Sequence, residues 1–169
     1  MKTLFLLRHG KSSWDSSELS DHGRPLNERG QKSAKKMAKK FLSVAEVPML
    51  VVSSSAVRAL STAKIFCSGI GYAHEDIVIN PRAYTFDVAT VLDEIKKIDD
   101  QYSSLMFVGH NPAYTEIANR YSPSNITNVP TAGLLAFSCA AEHWQSIDDG
   151  QTSLRWFDHP KNKQKIQTF

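Results

Sequence analysis

Near its N-terminus the chain reads Thr3-Leu4-Phe5-Leu6-Leu7-Arg8-His9-Gly10, an apolar run that stops abruptly at two basic side chains. A run of this length that ends at a glycine predicts a β-strand buried on both faces. Arg8 and His9 then lie at the carboxyl end of the strand, the edge of an open α/β sheet where ligands bind. A guanidinium beside a largely neutral imidazole suits a site that holds an anion while a nitrogen lone pair acts on it. Two polar residues that merely face water would give the same pattern, so this interpretation needs partners elsewhere in the chain.

The composition is that of an ordinary globular protein. The 169 residues, 41% hydrophobic and 22% charged, predict a single domain over 1–169 with a sizeable core, ending in a loose lysine-rich tail from about residue 161. A net charge of +3 favours an anionic substrate but argues against a dedicated nucleic-acid binder. The N-terminal apolar run is too short for a signal peptide, and no segment approaches the roughly 20 apolar residues of a membrane span. We therefore expect a soluble, cytoplasmic protein that binds neither nucleic acid nor membrane.

The cysteines and the remaining histidines give no sign of a metal site. Cys67 and Cys139 lie in separate predicted elements, which indicates small buried side chains in a reducing compartment. No metal-ligand spacing links the four other histidines, which are His22, His74, His143 and His159. We expect the protein to need neither a metal nor another cofactor.

Strand-like and helix-like patterns alternate along the chain. Short apolar runs predict strands at about 3–7, 49–52, 76–79, 105–108, 134–139 and 153–157. Apolar side chains at helical spacing predict helices at about 28–41, 56–67, 88–98 and 113–121. Asn27 suits the N-cap of the first helix, and Pro112 suits the first position of the last helix. The alternation predicts a three-layer α/β/α fold with a mostly parallel central sheet and right-handed crossovers.

Side chains that carry chemistry follow three of the predicted strands. Arg8 and His9 follow the first strand, Arg58 lies just inside the helix at 56–67, and His110 follows the strand at 105–108. In a parallel sheet these junctions share one edge. Two guanidiniums, two imidazoles and a helix N-terminus that face one crevice form an anion site suited to phosphate.

The segment Leu7-Arg8-His9-Gly10-Lys11-Ser12 resembles the signature of the histidine phosphatase superfamily, the phosphoglycerate-mutase-like proteins. The resemblance extends through residues 54–63 and through Gly109-His110-Asn111-Pro112. The short length and the block at 21–30 are most similar to phosphohistidine phosphatases of the SixA type. The resemblance implies a phosphoglycerate-mutase-like fold, with His9 as the nucleophile and Arg8, Arg58 and His110 as the phosphate pocket.

The sequence departs from the family pattern at two places. Asp15 stands where many members carry an asparagine that donates to phosphate, and an ionised carboxylate cannot donate. It could turn toward a basic side chain, or it could be protonated and act on the leaving group. The segment 82–87 also lacks the glutamate that sugar-phosphate members use as a general acid. Asp15, Asp21 and Asp87 are the candidates for that role, with a surface or capping role as the alternative for each.

Three further residues are candidates for substrate binding. Asn111 could contact the substrate at the pocket edge, although a helix N-cap is the more common role for such a residue. Thr131 and Ala132 precede a predicted strand, and they could bring a hydroxyl or a backbone amide toward the phosphate, as the corresponding stretch does in relatives.

The resemblance implies a cofactor-independent phosphohydrolase. We expect it to act on phosphohistidine in a protein, such as a histidine-containing phosphotransfer protein, through a phosphorylated His9. One alternative is a phosphatase of small phosphoesters such as sugar phosphates, which the missing glutamate disfavours. The other is a non-catalytic module that recognises phosphate, which the intact His9 disfavours because a pure binder has no need of a nucleophile.

Overall fold

One six-stranded sheet organises the protein. The computed structural model describes residues 1–148, 150–164 and 166. The strands are β1 (Lys2–Arg8), β2 (Leu50–Ser54), β3 (Val78–Asn80), β4 (Ser104–Gly109), β5 (Leu134–Cys139) and β6 (Thr152–Asp158). Their order in the sheet is β3-β2-β4-β1-β5-β6, and β1 to β4 run parallel to one another. β5 runs antiparallel to both of its neighbours, β1 and β6, and is the one described strand that points in the opposite direction, so the predicted mostly parallel sheet is confirmed.

Four helices cover the two faces of the sheet, which confirms the three-layer prediction. They are α1 (Glu28–Leu42), α2 (Val57–Ile70), α3 (Val88–Lys96) and α4 (Ala113–Arg120). Successive side chains of β1 point to opposite faces, as the period of a strand requires. Leu4 and Leu6 pack in the core beneath α3 and α4, while Phe5 and Leu7 pack in the core beneath α1 and α2.

The helix ends follow ordinary capping chemistry. The side chain of Asn27 accepts a hydrogen bond from Gly30 N–H, which confirms its predicted role as the N-cap of α1. Helix α2 ends at Gly71, whose φ of 76° lies in the left-handed region that glycine adopts at little cost. Gly69 lies inside α2, where a Cβ would come 2.6 Å from the Cβ of Ala38, so it allows α1 and α2 to pack closely.

Three observations bear on the remaining expectations. Pro112 is the N-cap residue of α4, one position before the predicted one. None of the helices in the described ranges combines the length and the apolar character that a membrane span requires. The expected loose tail falls in part on residues 165 and 167–169, which lie outside the described residues.

Candidate active site

The three predicted junctions meet at one edge of the sheet. β1 and β4 are neighbours, with Arg8 opposite Gly109, and His9 N–H donates to the carbonyl of Gly109 at 3.0 Å. β2 lies on the other side of β4, and α2 begins directly after it. The carboxyl ends of three parallel strands therefore bring Arg8, His9, Arg58 and His110 together, as the sequence predicts.

The His9 imidazole is buried and its two nitrogens have different partners. The side chain is only 8% exposed, and Nδ1 lies 2.7 Å from the carbonyl oxygen of Gly10. Because a carbonyl can only accept, Nδ1 carries the proton, which leaves a lone pair on Nε2 of the neutral ring. Arg58 Nε lies 3.3 Å from Nε2 and donates to that lone pair. The unprotonated Nε2 of His9 therefore lies beside the guanidinium of Arg58, which could also bind an anion.

Burial and neighbouring cations hold His9 in the neutral form. Burial, together with the charges of Arg58, Arg8 and Arg24, lowers the pKa of His9 to about 4, and burial is the largest of these causes. At neutral pH the ring is therefore unprotonated on Nε2, the state that a nucleophile needs.

His110 lies beside His9 and is held by Ser54. The ring centroids of the two histidines are 5.2 Å apart, and His110 Nε2 lies 2.8 Å from Ser54 Oγ. Burial lowers the pKa of His110 to about 3, and its neighbours His9 and Arg58 contribute further. His110 Nδ1 is buried and has no hydrogen-bond partner within the described part of the chain. A buried polar atom of this kind is available to a ligand.

Arg8 lines the same crevice. Its Nη1 donates to the carbonyl of Val129 at 2.7 Å, which fixes the guanidinium. Among the described residues, its Nε is buried without a partner. Burial and the charge of Arg58 lower the pKa of Arg8, although an arginine stays charged near pH 7.

Asp21 binds the guanidinium groups of Arg24 and Arg58 and is unsuited to donate a proton. It accepts hydrogen bonds from Tyr84 Oη at 2.6 Å, from Arg24 Nη1 at 2.9 Å and from Arg58 Nη2 at 3.0 Å. These bonds, the one from Tyr84 first, hold the pKa of Asp21 well below its usual range. The carboxylate is therefore ionised, and its placement fits a positioning residue better than the predicted general acid.

The two other acid candidates have local partners. Asp87 is the N-cap of α3, and its carboxylate accepts from the Thr90 amide at 2.8 Å, a bond that lowers the pKa of Asp87. Capping, the alternative role considered for Asp87, is the one the structure shows. Asp15 is exposed, and its carboxylate accepts from Ser13 Oγ at 2.6 Å rather than from the lysine or arginine that the sequence suggested.

Among the three candidates for substrate binding, two already use the groups they would offer. Asn111 is not the N-cap of α4, which is Pro112, and its Oδ1 is buried without a partner among the described residues. Its amide nitrogen donates to Asn128 Oδ1 at 2.9 Å and to the Val129 carbonyl at 3.0 Å. The amide of Ala132 donates to the His9 carbonyl at 3.0 Å, so it supports the His9 backbone instead of facing phosphate. Thr131 is half-buried and lines a cleft next to this site.

Several residues of the site were not predicted from the sequence alone. Ser54 is fully buried and contacts His110. It belongs to the family-like segment at 54–63, but the sequence predicted no role for it. Thr62 Oγ1 accepts from Gly10 N–H at 2.9 Å and donates to the Arg58 carbonyl, so it joins the two halves of the site. Tyr84 and Phe86 place their ring centroids 5.4 and 5.8 Å from that of His110. Tyr84 and Phe86 therefore form an aromatic wall of the site. They lie in the segment 82–87, in which the sequence analysis noted only the absence of a glutamate.

The residues offer no evident metal site. Within the described ranges, no group of three or more histidine, cysteine or acidic side chains is placed to hold a metal ion. Cys67 and Cys139 are buried and free, in α2 and β5. That the protein needs no metal remains a prediction.

Comparisons with known proteins agree with this geometry. The sequence model of the histidine phosphatase superfamily (branch 1) matches residues 4–88. An uncharacterised chloroplastic protein of Arabidopsis thaliana is 32% identical over 133 residues, which are 74% of this chain and 61% of that protein. An uncharacterised protein of Mycobacterium leprae is 30% identical over 169 residues, which cover 92% of this chain and all of that protein.

Solved structures share the fold over nearly the whole chain. A structure assigned to the phosphohistidine phosphatase SixA of Agrobacterium tumefaciens has a TM-score of 0.78 and 26% identity, and it covers 94% of this chain and 98% of that one. A structure assigned to an α-ribazole-5'-phosphate phosphatase of Escherichia coli has a TM-score of 0.68 and 16% identity, with 95% and 98% covered. The second likeness shows the fold alone.

Proposed function

The chain belongs to the histidine phosphatase superfamily, and we propose that it removes the phosphoryl group from phosphohistidine in a protein, without a cofactor. One observation carries this proposal. A neutral His9 places the lone pair of Nε2 against the guanidinium of Arg58, beside buried groups of Arg8 and His110 that lack partners in the described structure. This is a nucleophile at the centre of an anion site.

The reaction has two steps. His9 Nε2 attacks phosphorus and forms the new N–P bond. The substrate phosphohistidine carries a proton on its other ring nitrogen, so its P–N bond breaks with the electron pair and the substrate leaves as a neutral imidazole. Water then attacks the phosphoryl group on His9, which releases inorganic phosphate and returns the neutral ring. Both steps are in-line displacements at phosphorus, in which His9 Nε2 is first the attacking atom and then the leaving atom. They need a fixed ring, and the bond from His9 Nδ1 to the Gly10 carbonyl supplies that orientation.

The cations stabilise the charge that the transferring phosphoryl group carries on its equatorial oxygens. Arg58 and Arg8 donate from two sides, and both are anchored by protein acceptors, Asp21 and the Val129 carbonyl. The Ser54 hydroxyl already accepts from the Ala56 amide, so we assign it as the donor to His110 Nε2. The proton of that ring then lies on Nδ1, which can donate to phosphate. Removal of one such preorganised donor typically costs about 100-fold or more in rate.

The substrate class follows from the leaving group. An alkoxide leaves as a strong base and needs a proton donor. A histidine already protonated on its other ring nitrogen leaves as a neutral imidazole, whose conjugate acid has a pKa near 6.5, and therefore needs less help. Asp21 is ionised and Asp87 is a helix cap, so neither supplies that proton well. The aromatic rings of Tyr84 and Phe86 beside His110 also suit a planar leaving group. Both features favour phosphohistidine over sugar phosphates.

The test compares leaving groups on the purified protein. We expect kcat/KM for a phosphohistidine protein to exceed that for a panel of alkyl phosphates, with both activities lost in His9→Ala. His143→Ala is the matched control, because that histidine is bound to Asp100 on the surface and should leave turnover unchanged.

Two results would reverse the proposal. An alkyl phosphate as the better substrate would make the protein a phosphatase of small phosphoesters. Tight binding of phosphohistidine protein without release of phosphate would make it a recognition module.

A further inference from the structure

A basic cleft lies next to the proposed active site. It has a volume of about 650 Å³, and its walls are the first turns of α1, the segment at 130–131 and the segment at 159–161. Its charged lining consists of one carboxylate, Glu28, and five cations, which are Lys11, Arg29, Lys32, Lys36 and Lys161. The whole chain carries a net charge of only +3, so the positive excess of the protein is concentrated here.

The cations of this basic cleft have not been neutralised by the fold. Lys11, Arg29, Lys32, Lys36 and Lys161 are all exposed. Lys32 pairs with Glu28 at 2.6 Å, and both side chains are exposed to solvent. Glu28 is the one carboxylate among the described residues of the lining. Lys36 donates to the carbonyl of Pro160, which leaves its charge uncompensated. A concave surface lined by one sign of charge attracts ligands of the opposite sign.

The backbone joins the basic cleft to His9. Lys11 lies two residues after His9, so the Cα atoms of these two residues are at most about 7 Å apart. The carbonyl of Lys11 accepts from the Asn27 amide at 3.0 Å, and a Cβ on Gly30 would come 2.2 Å from that carbonyl oxygen. On the opposite wall, Thr131 precedes Ala132, whose amide bonds to the His9 carbonyl. A chain seated in the cleft therefore lies beside the nucleophile.

From this placement we propose that the basic cleft binds an acidic segment of the protein that carries the phosphohistidine. The inference rests on the proposed function for the identity of the partner. Carboxylates in that segment match the exposed lysines, and their attraction steers the partner so that its phosphohistidine reaches His9. The described lining holds no phenylalanine, tyrosine or tryptophan on which a nucleic-acid base could stack. Because the cleft also adjoins a nucleophile whose proposed substrate is a protein, an acidic peptide is the occupant that this placement favours.

The first arm of the test measures binding without catalysis. A fluorescent peptide rich in glutamate, without phosphate, is titrated with the full chain in 0.1 M salt, where distant charges are screened. Arg29→Glu with Lys32→Glu should weaken binding 10-fold or more. Lys35→Glu with Lys39→Glu is the matched control, with the same charge change on the same helix at exposed positions outside the cleft lining, and should weaken it less than threefold.

The second arm measures turnover. The cleft variant should lower kcat/KM for a phosphohistidine peptide flanked by glutamates about 10-fold, but it should leave kcat/KM within twofold for the same peptide flanked by glutamines and for an aryl phosphate. Equal losses of peptide affinity and of kcat/KM in the cleft variant and the control variant would overturn the proposal. They would show that the net charge of the protein, and not the cleft, attracts the peptide. Tighter binding of a single-stranded oligonucleotide of equal charge would overturn it as well. Peptide binding at the cleft without hydrolysis of phosphohistidine would refute the proposed function and leave the acidic-peptide site standing.

Discussion

The guanidinium of Arg58 donates to His9, with Arg58 Nε 3.3 Å from His9 Nε2. The lone pair on His9 Nε2, which we assign as the nucleophile, therefore accepts a hydrogen bond from Arg58. When phosphate binds, Arg58 must donate to a phosphate oxygen instead. The exchange is favourable because a phosphate oxygen is a charged acceptor and the ring nitrogen is a neutral one. Arg58 thereby holds the phosphorus close to the nitrogen that attacks it.

The pH dependence of His9 follows from its burial. Burial and three arginines lower the pKa of this ring to about 4, so His9 should stay neutral until the pH falls to about 4. We expect an NMR titration of the ring signal that is lost in His9→Ala to have its midpoint there. A midpoint near 6.5 would contradict the buried, cation-surrounded site.

The same shift predicts how stability varies with pH. In the unfolded chain His9 has a pKa near 6.5, so between about 4 and 6.5 the unfolded state binds the proton and the folded state does not. The free energy of unfolding should therefore fall as the pH is lowered from 6.5 toward 4. In His9→Ala this contribution is removed, and denaturant titrations at several pH values should show a shallower fall. An unchanged slope would mean that the ring is not buried as described.

Asp21 should act by positioning the arginines. Asp21→Asn removes the charge that holds Arg58 and Arg24, and a displaced guanidinium can cost up to about 100-fold in rate. We expect kcat/KM to fall by a similar factor for aryl phosphates of every leaving-group pKa. A loss confined to the poor leaving groups would instead identify Asp21 as the general acid. Asp93→Asn, the same change at an exposed position of α3, is the control and should stay within twofold of wild type.

Ser54 should matter to both stability and turnover. Its hydroxyl is bonded to His110 Nε2 and accepts from the Ala56 amide, so Ser54→Ala should cost about 1–3 kcal/mol in the free energy of unfolding. Turnover should fall about 10-fold or more, because His110 loses the partner that orients it. Ser53→Ala removes an equally buried hydroxyl, whose one partner within the described ranges is the Ser54 carbonyl, and should leave turnover unchanged. A loss of stability in Ser54→Ala at unchanged turnover would refute the role of Ser54 in orienting His110.

The architecture could be predicted because it depends on periodic patterns. The uninterrupted apolar run from Leu4 to Leu7 requires two covered faces, and the Asn27 cap marks the start of α1. The joint position of Arg8, Arg58 and His110 followed from the parallel strands alone. These features depend on local sequence and on topology, which a single sequence reveals.

The contacts between distant segments could not be predicted in the same way. Asp21 meets Tyr84 only because the loop after β1 and the segment after β3 approach each other across the crevice. Ala132 adopts a φ of 57°, which an alanine rarely does, and its amide then reaches the His9 carbonyl. Such contacts are set by tertiary packing, so the roles of Asp21, Ala132 and Asn111 became clear only in the structure.

The most direct test of the account is to trap the phosphoryl group on the enzyme. Rapid quenching of turnover with a radiolabelled phosphohistidine protein, followed by peptide mapping, should place the label on Nε2 of His9 in a form that is stable to alkali and labile to acid. Nε2 is the expected atom because Nδ1 is bonded to the Gly10 carbonyl. Label on a serine or a cysteine, on Nδ1, or on no residue of an enzyme shown to be active would contradict the assignment of His9 as the nucleophile.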